Sequence, residues 1–184
     1  MMPSLREHSK LKLSSSAWQL QLSMIVKSSS PTNRLAIVGV GHPLRGDDYA
    51  GSYIVRKLMD TKPEKVRDGI VIFDAEADLE AMFSKISALS PKHVIFIDTC
   101  EMGAEPGQCR LLSVSSTSYP FFTTHGVPLK LLAEQLLPDS KAWILAIQPE
   151  QTNFDSKVSP EVREISDSIA AFLRSIIREG KRIC

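Results

Sequence analysis

Three side chains with cation-binding chemistry follow apolar or aromatic segments of the chain. Asp48 comes a few residues after the run Leu35–Val40, Asp98 directly follows the run Val94–Ile97, and His125 follows two phenylalanines and two threonines. If the apolar runs are neighbouring parallel strands, their carboxyl ends meet at one edge of a sheet and these side chains converge there. Two carboxylates and an imidazole suit a divalent, borderline metal ion that keeps open coordination positions.

Each of these residues also has a purely local interpretation. Asp47 or Asp48 could cap the helix that follows, because acidic side chains accept hydrogen bonds from free backbone N–H groups at helix starts. Asp98 could be an ordinary turn residue at a strand end, and His125 could assist the start of the next helix. Spacing alone leaves the metal site and these local roles open.

A nucleotide site and a serine nucleophile are weaker interpretations. Gly39, Gly41 and Gly46 resemble a dinucleotide loop only in part, because four residues instead of two separate the last pair. Two acids follow the last glycine, and they would repel pyrophosphate. No Gly-x-Ser-x-Gly elbow indicates a serine hydrolase. We expect structural or surface roles for the other candidates, which are His42, His93, Cys100 and Cys109.

Charge and cysteine content exclude several classes of protein. The 184 residues include 22 Lys and Arg against 21 Asp and Glu, so no global field attracts nucleic acid or an anionic membrane surface. The three cysteines form neither a CxxC pair nor an even-numbered disulfide framework, which favours a reducing, cytoplasmic location. No apolar stretch approaches the ~20 residues of a membrane helix. We expect a monomer without nucleic-acid or membrane partners.

The elements that would position these side chains alternate as in an α/β protein. Apolar runs predict five strands, at Leu35–Val40, Ile70–Phe73, His93–Ile97, Cys109–Val114 and Trp143–Ile147. Helical spacing predicts helices at Asp48–Met59, Leu79–Leu89, Val127–Leu137 and Glu161–Ile177. The short connection Gly103–Gly107 predicts a hairpin of strands three and four. The expected fold is a single α/β domain whose twisted, mostly parallel five-stranded sheet has one antiparallel strand and helices on both faces.

The first 33 residues differ in composition from the rest. We expect an N-terminal extension over residues 1–33, partly helical or flexible, before a domain over residues 34–184. Ala17–Val26 could form an amphipathic helix, followed by a flexible, serine-rich linker at Lys27–Asn33. The basic residues near the start suggest a targeting peptide, but polar residues interrupt any apolar core of signal length.

Several motifs in the same order resemble those of the [NiFe]-hydrogenase maturation endopeptidases, including the peptidase that serves the formate-hydrogenlyase hydrogenase. The resemblance extends from about Arg34 to the last helix. The motifs are Val38-Gly39-Val40-Gly41-His42-Pro43-Leu44-Arg45-Gly46-Asp47-Asp48, Ile97-Asp98-Thr99-Cys100-Glu101-Met102-Gly103, Thr123-Thr124-His125-Gly126-Val127-Pro128-Leu129 and Ile147-Gln148-Pro149-Glu150.

This resemblance implies an endopeptidase that removes a short carboxyl-terminal extension from a [NiFe]-hydrogenase large-subunit precursor after nickel insertion. By position, Asp48, Asp98 and His125 match the family's metal-binding and catalytic trio. Nickel would be carried by the substrate, and the isolated protein could bind another divalent metal. The alternative from a different class is a non-catalytic α/β module that senses a metal or a nucleotide.

Two departures from the family pattern affect the surroundings of this trio. His42 and Tyr49 replace the family's usual Asn and Gly beside the first motif, and Asp74-Ala75-Glu76 stands where Asp-Gly-Gly is usual. We expect the loss of two glycines to stiffen that turn and to alter how the substrate tail is admitted.

Overall fold

Five strands form one sheet in the computed structural model, which describes residues 17–60, 67–116 and 128–178. The strands are β1 (Leu35–Val40), β2 (Ile70–Glu76), β3 (His93–Thr99), β4 (Cys109–Ser113) and β5 (Lys141–Ile147). Their spatial order is β2-β1-β3-β5-β4. The first four in this order are parallel, and β4 is an antiparallel edge strand.

Helices cover both faces of the sheet. They are α1 (residues 17–27), α2 (Ala50–Met59), α3 (Leu79–Ala88), α4 (Leu129–Leu136) and α5 (Pro160–Arg178). One apolar cluster joins α1, α2 and α5 to one face, and a second joins α3 and α4 to the other. The predicted fold class, a single α/β domain with one antiparallel strand in a five-stranded sheet, is confirmed. Within the described ranges, no helix is long and apolar enough to cross a bilayer.

The position of β1 inside the sheet explains why its sequence is a continuous apolar run. Leu35 and Ile37 pack into the α2/α5 cluster, whereas Ala36 and Val38 pack into the α3/α4 cluster. All six residues of the strand are buried. A parallel strand that is covered on both faces loses the polar alternation of an exposed one.

The predicted hairpin of strands three and four is wrong. β4 pairs with β5 in antiparallel register, and β5 lies between β3 and β4. The connection crosses the carboxyl end of β5, where the Cys100 N–H donates to the Ile147 carbonyl at 2.9 Å and the Gly107 N–H donates to the Gln148 carbonyl at 2.9 Å. The prediction rested on the short segment Gly103–Gly107 alone. The whole connection from the end of β3 to the start of β4 is long enough to pass over β5, which requires two strand spacings of about 5 Å each.

The boundaries of the helices also differ from the predicted ones. The segment Gly46–Tyr49 forms a 3₁₀ turn, so α2 begins at Ala50 rather than at Asp48. Helix α4 begins at Leu129, and Val127 lies outside the described residues. The acidic pair therefore lies in a tight turn between β1 and α2, not within the helix.

Residues 17–33 pack onto the domain. Residues 17–27 are helical, as their spacing predicted, and Trp18 contacts Phe172 of α5 with ring centres 5.6 Å apart. The segment predicted as a linker forms a hydrogen-bonded turn. The Asn33 side chain donates to the Ser28 carbonyl at 2.7 Å, and the Ser29 hydroxyl donates to the Val26 carbonyl at 2.6 Å.

Candidate active site

The structure brings Asp48 and Asp98 to the same rim of the sheet. β1 and β3 are adjacent and parallel, with Gly39 opposite Ile97. The 3₁₀ turn after β1 carries Asp48, and Asp98 is the penultimate residue of β3. Two carboxylates that are 50 positions apart in the sequence thus meet where the strands end.

The surroundings of Asp98 disfavour its charged form. Burial raises the pKa of the Asp98 carboxyl well above its ordinary value, and the carboxylate of Asp48 raises it further. The Thr99 N–H donates to Asp98 Oδ1 at 2.7 Å and acts in the opposite direction. A desolvated carboxyl beside a like charge either holds a proton or favours a cation.

Asp48 points back toward the end of β1. Its Oδ2 accepts a hydrogen bond from the His42 N–H at 2.7 Å. Gly41 allows the backbone of Asp48 to lie close to the end of β1. Its φ is +134°, and a Cβ there would meet the Asp48 carbonyl oxygen at 1.6 Å. Neither the 3₁₀ turn nor α2 has a side-chain cap hydrogen bond, so the capping interpretation of the acidic pair is wrong.

Asp47 has a structural role. Its side chain is fully buried, and its carboxylate accepts hydrogen bonds from the N–H groups of Glu150 (2.8 Å), Gln151 (3.0 Å) and Ser159 (2.6 Å) and from the Ser159 hydroxyl (3.0 Å). These bonds attach the loop after β5 to the turn that carries Asp48. Sequence analysis did not separate Asp47 from Asp48, because its partners lie about 100 positions away.

An ion-paired cluster beside this turn involves the residues that depart from the family pattern. The Arg56 Nε donates to Asp74 Oδ2 at 2.5 Å, another guanidinium nitrogen donates to Glu76, and Nη1 lies 3.3 Å from the Tyr49 hydroxyl. The hydrogen bond to Asp74 is the main cause that raises the pKa of Arg56. Glu76 has φ +49°, a conformation that favours glycine. The cluster thus fixes the end of β2 against α2.

Arg56 was not among the residues predicted from the sequence. Its position relative to Tyr49, seven residues earlier, was the available signal, because residues seven apart lie on one face of a helix. The structure joins Tyr49 and Glu76 through hydrogen bonds to the same Arg56 guanidinium. The departures are therefore linked to one another rather than independent.

Close packing accounts for Gly39, one of the three glycines that resembled a nucleotide loop, and for Gly51 in α2. A Cβ at Gly39 would lie 2.4 Å from the Gly51 carbonyl oxygen, and a Cβ at Gly51 would lie 2.0 Å from the Ile97 carbonyl oxygen. Helix α2 can approach β1 and β3 this closely only without these side chains. The glycines need no bound nucleotide to explain them.

The remaining candidates have the structural character that was expected of them. Cys100 is buried, and burial together with the charge of Asp98 raises the pKa of its thiol to about 12. Burial raises the pKa of Cys109 to about 12 as well. His93 begins β3 at the opposite rim, and burial lowers its pKa. Neither thiol is activated as a nucleophile.

His125 lies outside the described residues, within the segment 117–127. Among the residues that are described, no group of three His, Cys, Asp or Glu side chains has the arrangement of a metal site. The third member of the predicted trio therefore stays a prediction, and the geometry above concerns the two carboxylates.

Comparisons with known proteins identify the family. The model of a family described as hydrogenase maturation protease matches residues 52–176, which include Asp98 and His125. The putative hydrogenase maturation protease of Methanocaldococcus jannaschii is 27% identical over 164 residues, 86% of this chain and 96% of that protein. The hydrogenase 3 maturation protease of Escherichia coli K12 is 26% identical over 132 residues, 71% of this chain and 82% of that protein.

Solved structures share the fold. The crystal structure of a [NiFe] hydrogenase maturation protease from Thermococcus kodakarensis superposes with a TM-score of 0.72 at 24% identity, over 86% of this chain and 99% of the other. A crystal structure of a hydrogenase 3 maturation protease gives 0.68 at 23% identity, over 83% and 94%. The resemblance inferred from the motifs is confirmed. The family model matches more than half of the 184 residues of this chain, and this chain therefore belongs to the hydrogenase maturation protease family.

Proposed function

We propose that this protein is an endopeptidase that removes the carboxyl-terminal extension of a [NiFe]-hydrogenase large-subunit precursor after nickel has been inserted. Membership of the family supports the peptidase role in hydrogenase maturation. We assign the contact with the precursor's nickel to Asp48, Asp98 and His125. The observation that carries this assignment is the pair of carboxylates at one rim, where burial and mutual repulsion disfavour two free charges.

The donor set fits a divalent cation. A cation between the two carboxylates would remove their repulsion and favour the charged form of both. The hydrogen bonds to Asp48 Oδ2 and Asp98 Oδ1 hold each carboxylate in place and leave each its second oxygen. Carboxylate oxygen and imidazole nitrogen are both ligands of borderline metals.

The path of α4 supports the inclusion of His125. Helix α4 ends at Leu136, shortly before β5 begins at Lys141 at the opposite rim. With a rise of about 1.5 Å per residue, α4 is about 12 Å long, so a path antiparallel to the strands would bring its first residue toward the rim that carries the carboxylates. His125 precedes this first residue, Leu129, by four positions. The proposed role of His125 rests on this order and on the motif.

The carboxylates would act on the scissile peptide as follows. Nickel bound to the precursor supplies Lewis-acid polarisation and orients the peptide. Asp98 or Asp48 accepts a proton from the attacking water, and the same group returns it to the departing amine as the C–N bond breaks.

The test is processing of purified precursor prepared with and without nickel. We expect the wild-type protein to shorten only the nickel-loaded form, as followed by gel mobility and intact mass. Asp48→Asn should lose at least about 100-fold in cleavage rate, in the range of general acid–base contributions, while its melting temperature changes little. Asp139→Asn, an exposed substitution before β5, is the matched control and should cleave normally. Equal processing of both precursor forms would remove the nickel assignment.

A metal-free acid pair is the competing mechanism. Asp48 and Asp98 would share a proton as in aspartic proteases, and the raised pKa of Asp98 favours this second candidate. Such a pair would process nickel-loaded and nickel-free precursor at equal rates and would still require both carboxylates. The same experiment therefore separates the two mechanisms.

A non-catalytic sensor of metal or nucleotide is the alternative from a different class. It predicts that the wild-type protein binds the precursor but shortens neither form. It also predicts that Asp48→Asn alters binding alone. Loss of cleavage with retained precursor binding in Asp48→Asn would instead support the peptidase.

A further inference from the structure

An exposed apolar surface lies beside the carboxylate pair. Leu44 and Phe154 keep 50% and 70% of their surface exposed, and Pro43 is exposed beside them. We name residues 42–45 and 150–156 the docking platform. We propose that this platform binds an apolar surface of the hydrogenase large-subunit precursor next to its scissile tail. This inference rests on the proposed function and names the surface that recognises the partner.

Backbone hydrogen bonds order the docking platform, although its tip, formed by Leu44 and Phe154, is apolar and exposed. The Asp155 N–H donates to the Leu44 carbonyl at 2.6 Å, which joins its two segments. Arg45 and Ser156 form a β-bridge, and the Ser156 hydroxyl donates to the Asn153 carbonyl at 2.6 Å. Asp155 has φ +60°, a conformation that few residues other than glycine adopt. A surface that is ordered before binding loses less conformational entropy when the partner associates.

The buried carboxylate of Asp47 fixes the base of the platform. Its bonds to the N–H groups of Glu150 and Gln151 hold the start of one segment, and the Asp47 N–H donates to the Gln151 carbonyl at 3.0 Å. The same turn carries Asp48. The exposed apolar tip and the reactive carboxylate are therefore parts of one connected unit.

The short distance between the docking platform and Asp48 indicates that the partner bound to the platform is the precursor itself. The His42 N–H contacts the Asp48 carboxylate, and the His42 ring lies 6.3 Å from the Phe154 ring. A protein–protein interface of ordinary size covers about 800 Å² per partner, a patch of about 16 Å radius. A protein substrate whose metal contacts Asp48 therefore covers Phe154. Aromatic residues near the centre of an interface are the usual hot spots of binding.

Within the described ranges, the other exposed large apolar residues lack this connection. Leu20 and Met24 lie on α1, Met59 ends α2, and Leu131 and Leu136 lie on α4. Leu20, with 66% of its surface exposed, is matched to Phe154 in exposure. It lies on the helix that packs against Phe172 of α5, away from the turn with Asp48. Leu20 thus provides the control position.

The test measures precursor binding and cleavage by Phe154→Ala, Phe154→Leu and Leu20→Ala. We expect Phe154→Ala to raise the Kd and KM for nickel-loaded precursor about tenfold, with kcat within about twofold, since the lost contact is uniform in substrate and transition state. Phe154→Leu should recover part of the affinity. Leu20→Ala should match the wild type, and all three should melt within about 1 °C of it.

The outcomes separate this inference from the proposed function. If wild-type protein cleaves the precursor and Phe154→Ala has an unchanged Kd, only the docking inference fails. If wild-type protein leaves every precursor uncut, the proposed function fails. Size-exclusion chromatography with light scattering tests a second copy of this chain as the occupant. A dimer that Phe154→Ala dissociates, with precursor affinity unchanged, would overturn the proposal.

Discussion

Asp47 and Asp48 are adjacent in sequence and differ in their surroundings. The Asp47 carboxylate is fully buried and accepts four hydrogen bonds from the loop after β5. Asp48 is partly exposed and accepts a hydrogen bond from the His42 N–H. A buried carboxylate whose oxygens accept several hydrogen bonds stabilises the fold. A partly exposed one beside Asp98 remains available for substrate.

Replacing Asp98 should stabilise the protein while it removes activity. Because the folded-state pKa of Asp98 is raised, the wild type loses stability as the pH rises above about 4 and through that pKa. Asp98→Asn keeps the acceptor for the Thr99 N–H and lacks this loss. In chelator-treated protein at pH 7.5, we expect a gain on the order of 1 kcal/mol, or roughly 2–4 °C in Tm, with no precursor cleavage.

Asp47→Asn is the contrasting variant for this measurement. An amide in place of the carboxylate keeps only part of the acceptor capacity for Glu150, Gln151 and Ser159, so it should lower the Tm. The gain from Asp98→Asn should disappear below about pH 3, where the folded and the unfolded wild type are both largely protonated at this position. A lower Tm for Asp98→Asn at pH 7.5 would contradict the account of its burial.

At the scale of elements, the close packing of α2 against the sheet sets the distance between the two carboxylates. Gly51 lies where the helix meets both β1 and β3, and a Cβ there would contact the backbone of Ile97 and Val40. Backbone atoms in the middle of a sheet cannot move aside as a flexible side chain can. Asp98 follows Ile97 directly, so the packing at Gly51 and the site geometry are coupled.

Gly51→Ala should therefore displace α2 and disturb the site together. We expect a loss of about 3 kcal/mol or more, at the upper end of overpacking effects, which is roughly 6–12 °C in Tm. Differential scanning calorimetry and the precursor cleavage rate would measure both effects. Gly103→Ala is the control, because a Cβ at Gly103 (φ +62°) meets nothing within 4 Å. This variant should lose only the roughly 1–2 kcal/mol that a left-handed backbone conformation costs a residue with a side chain. Equal losses in the two variants would contradict the packing argument.

Sequence patterns located the strands because their cores are continuous apolar runs with clear polar ends. The segment Leu35–Val40 matches β1 residue for residue. The placement of β4 failed because strand neighbours depend on partners far along the chain, here the pairing of Leu111 with Leu145. The number of residues in a connection limits its reach but does not choose the neighbour.

The candidate site was predictable in part for the same reason. Asp98 follows an apolar strand and Asp48 follows a glycine-containing turn, so their meeting at one rim follows from parallel pairing of β1 and β3. The bonds of Asp47 and Arg56 could not be predicted, since they join the turn to loops and strands that only the folded chain brings close. Phe154 had a weak signal as a lone aromatic among polar residues.

At the scale of the whole molecule, α1 belongs to the core rather than to a separate extension. Trp18, Leu22 and Val26 have at most 5% of their surface exposed and join the cluster with α2 and α5. The Arg67 guanidinium also donates to the Lys27 carbonyl at 2.6 Å. Residues 17–33 thus lie against one face of the sheet, at the opposite end of α5 from the Asp47 network.

A variant that begins at Arg34 should accordingly fold poorly, and the full chain is its control. Burying each large apolar side chain contributes about 1.5–3 kcal/mol, so loss of α1 removes an amount comparable with the 5–15 kcal/mol stability of a typical domain. Circular dichroism and calorimetry would show whether this variant unfolds cooperatively. Leu22→Ala in the full chain gives a milder test, with an expected loss of about 2–5 kcal/mol. A cooperative transition at an unchanged temperature in the variant that begins at Arg34 would show that the domain is complete without α1.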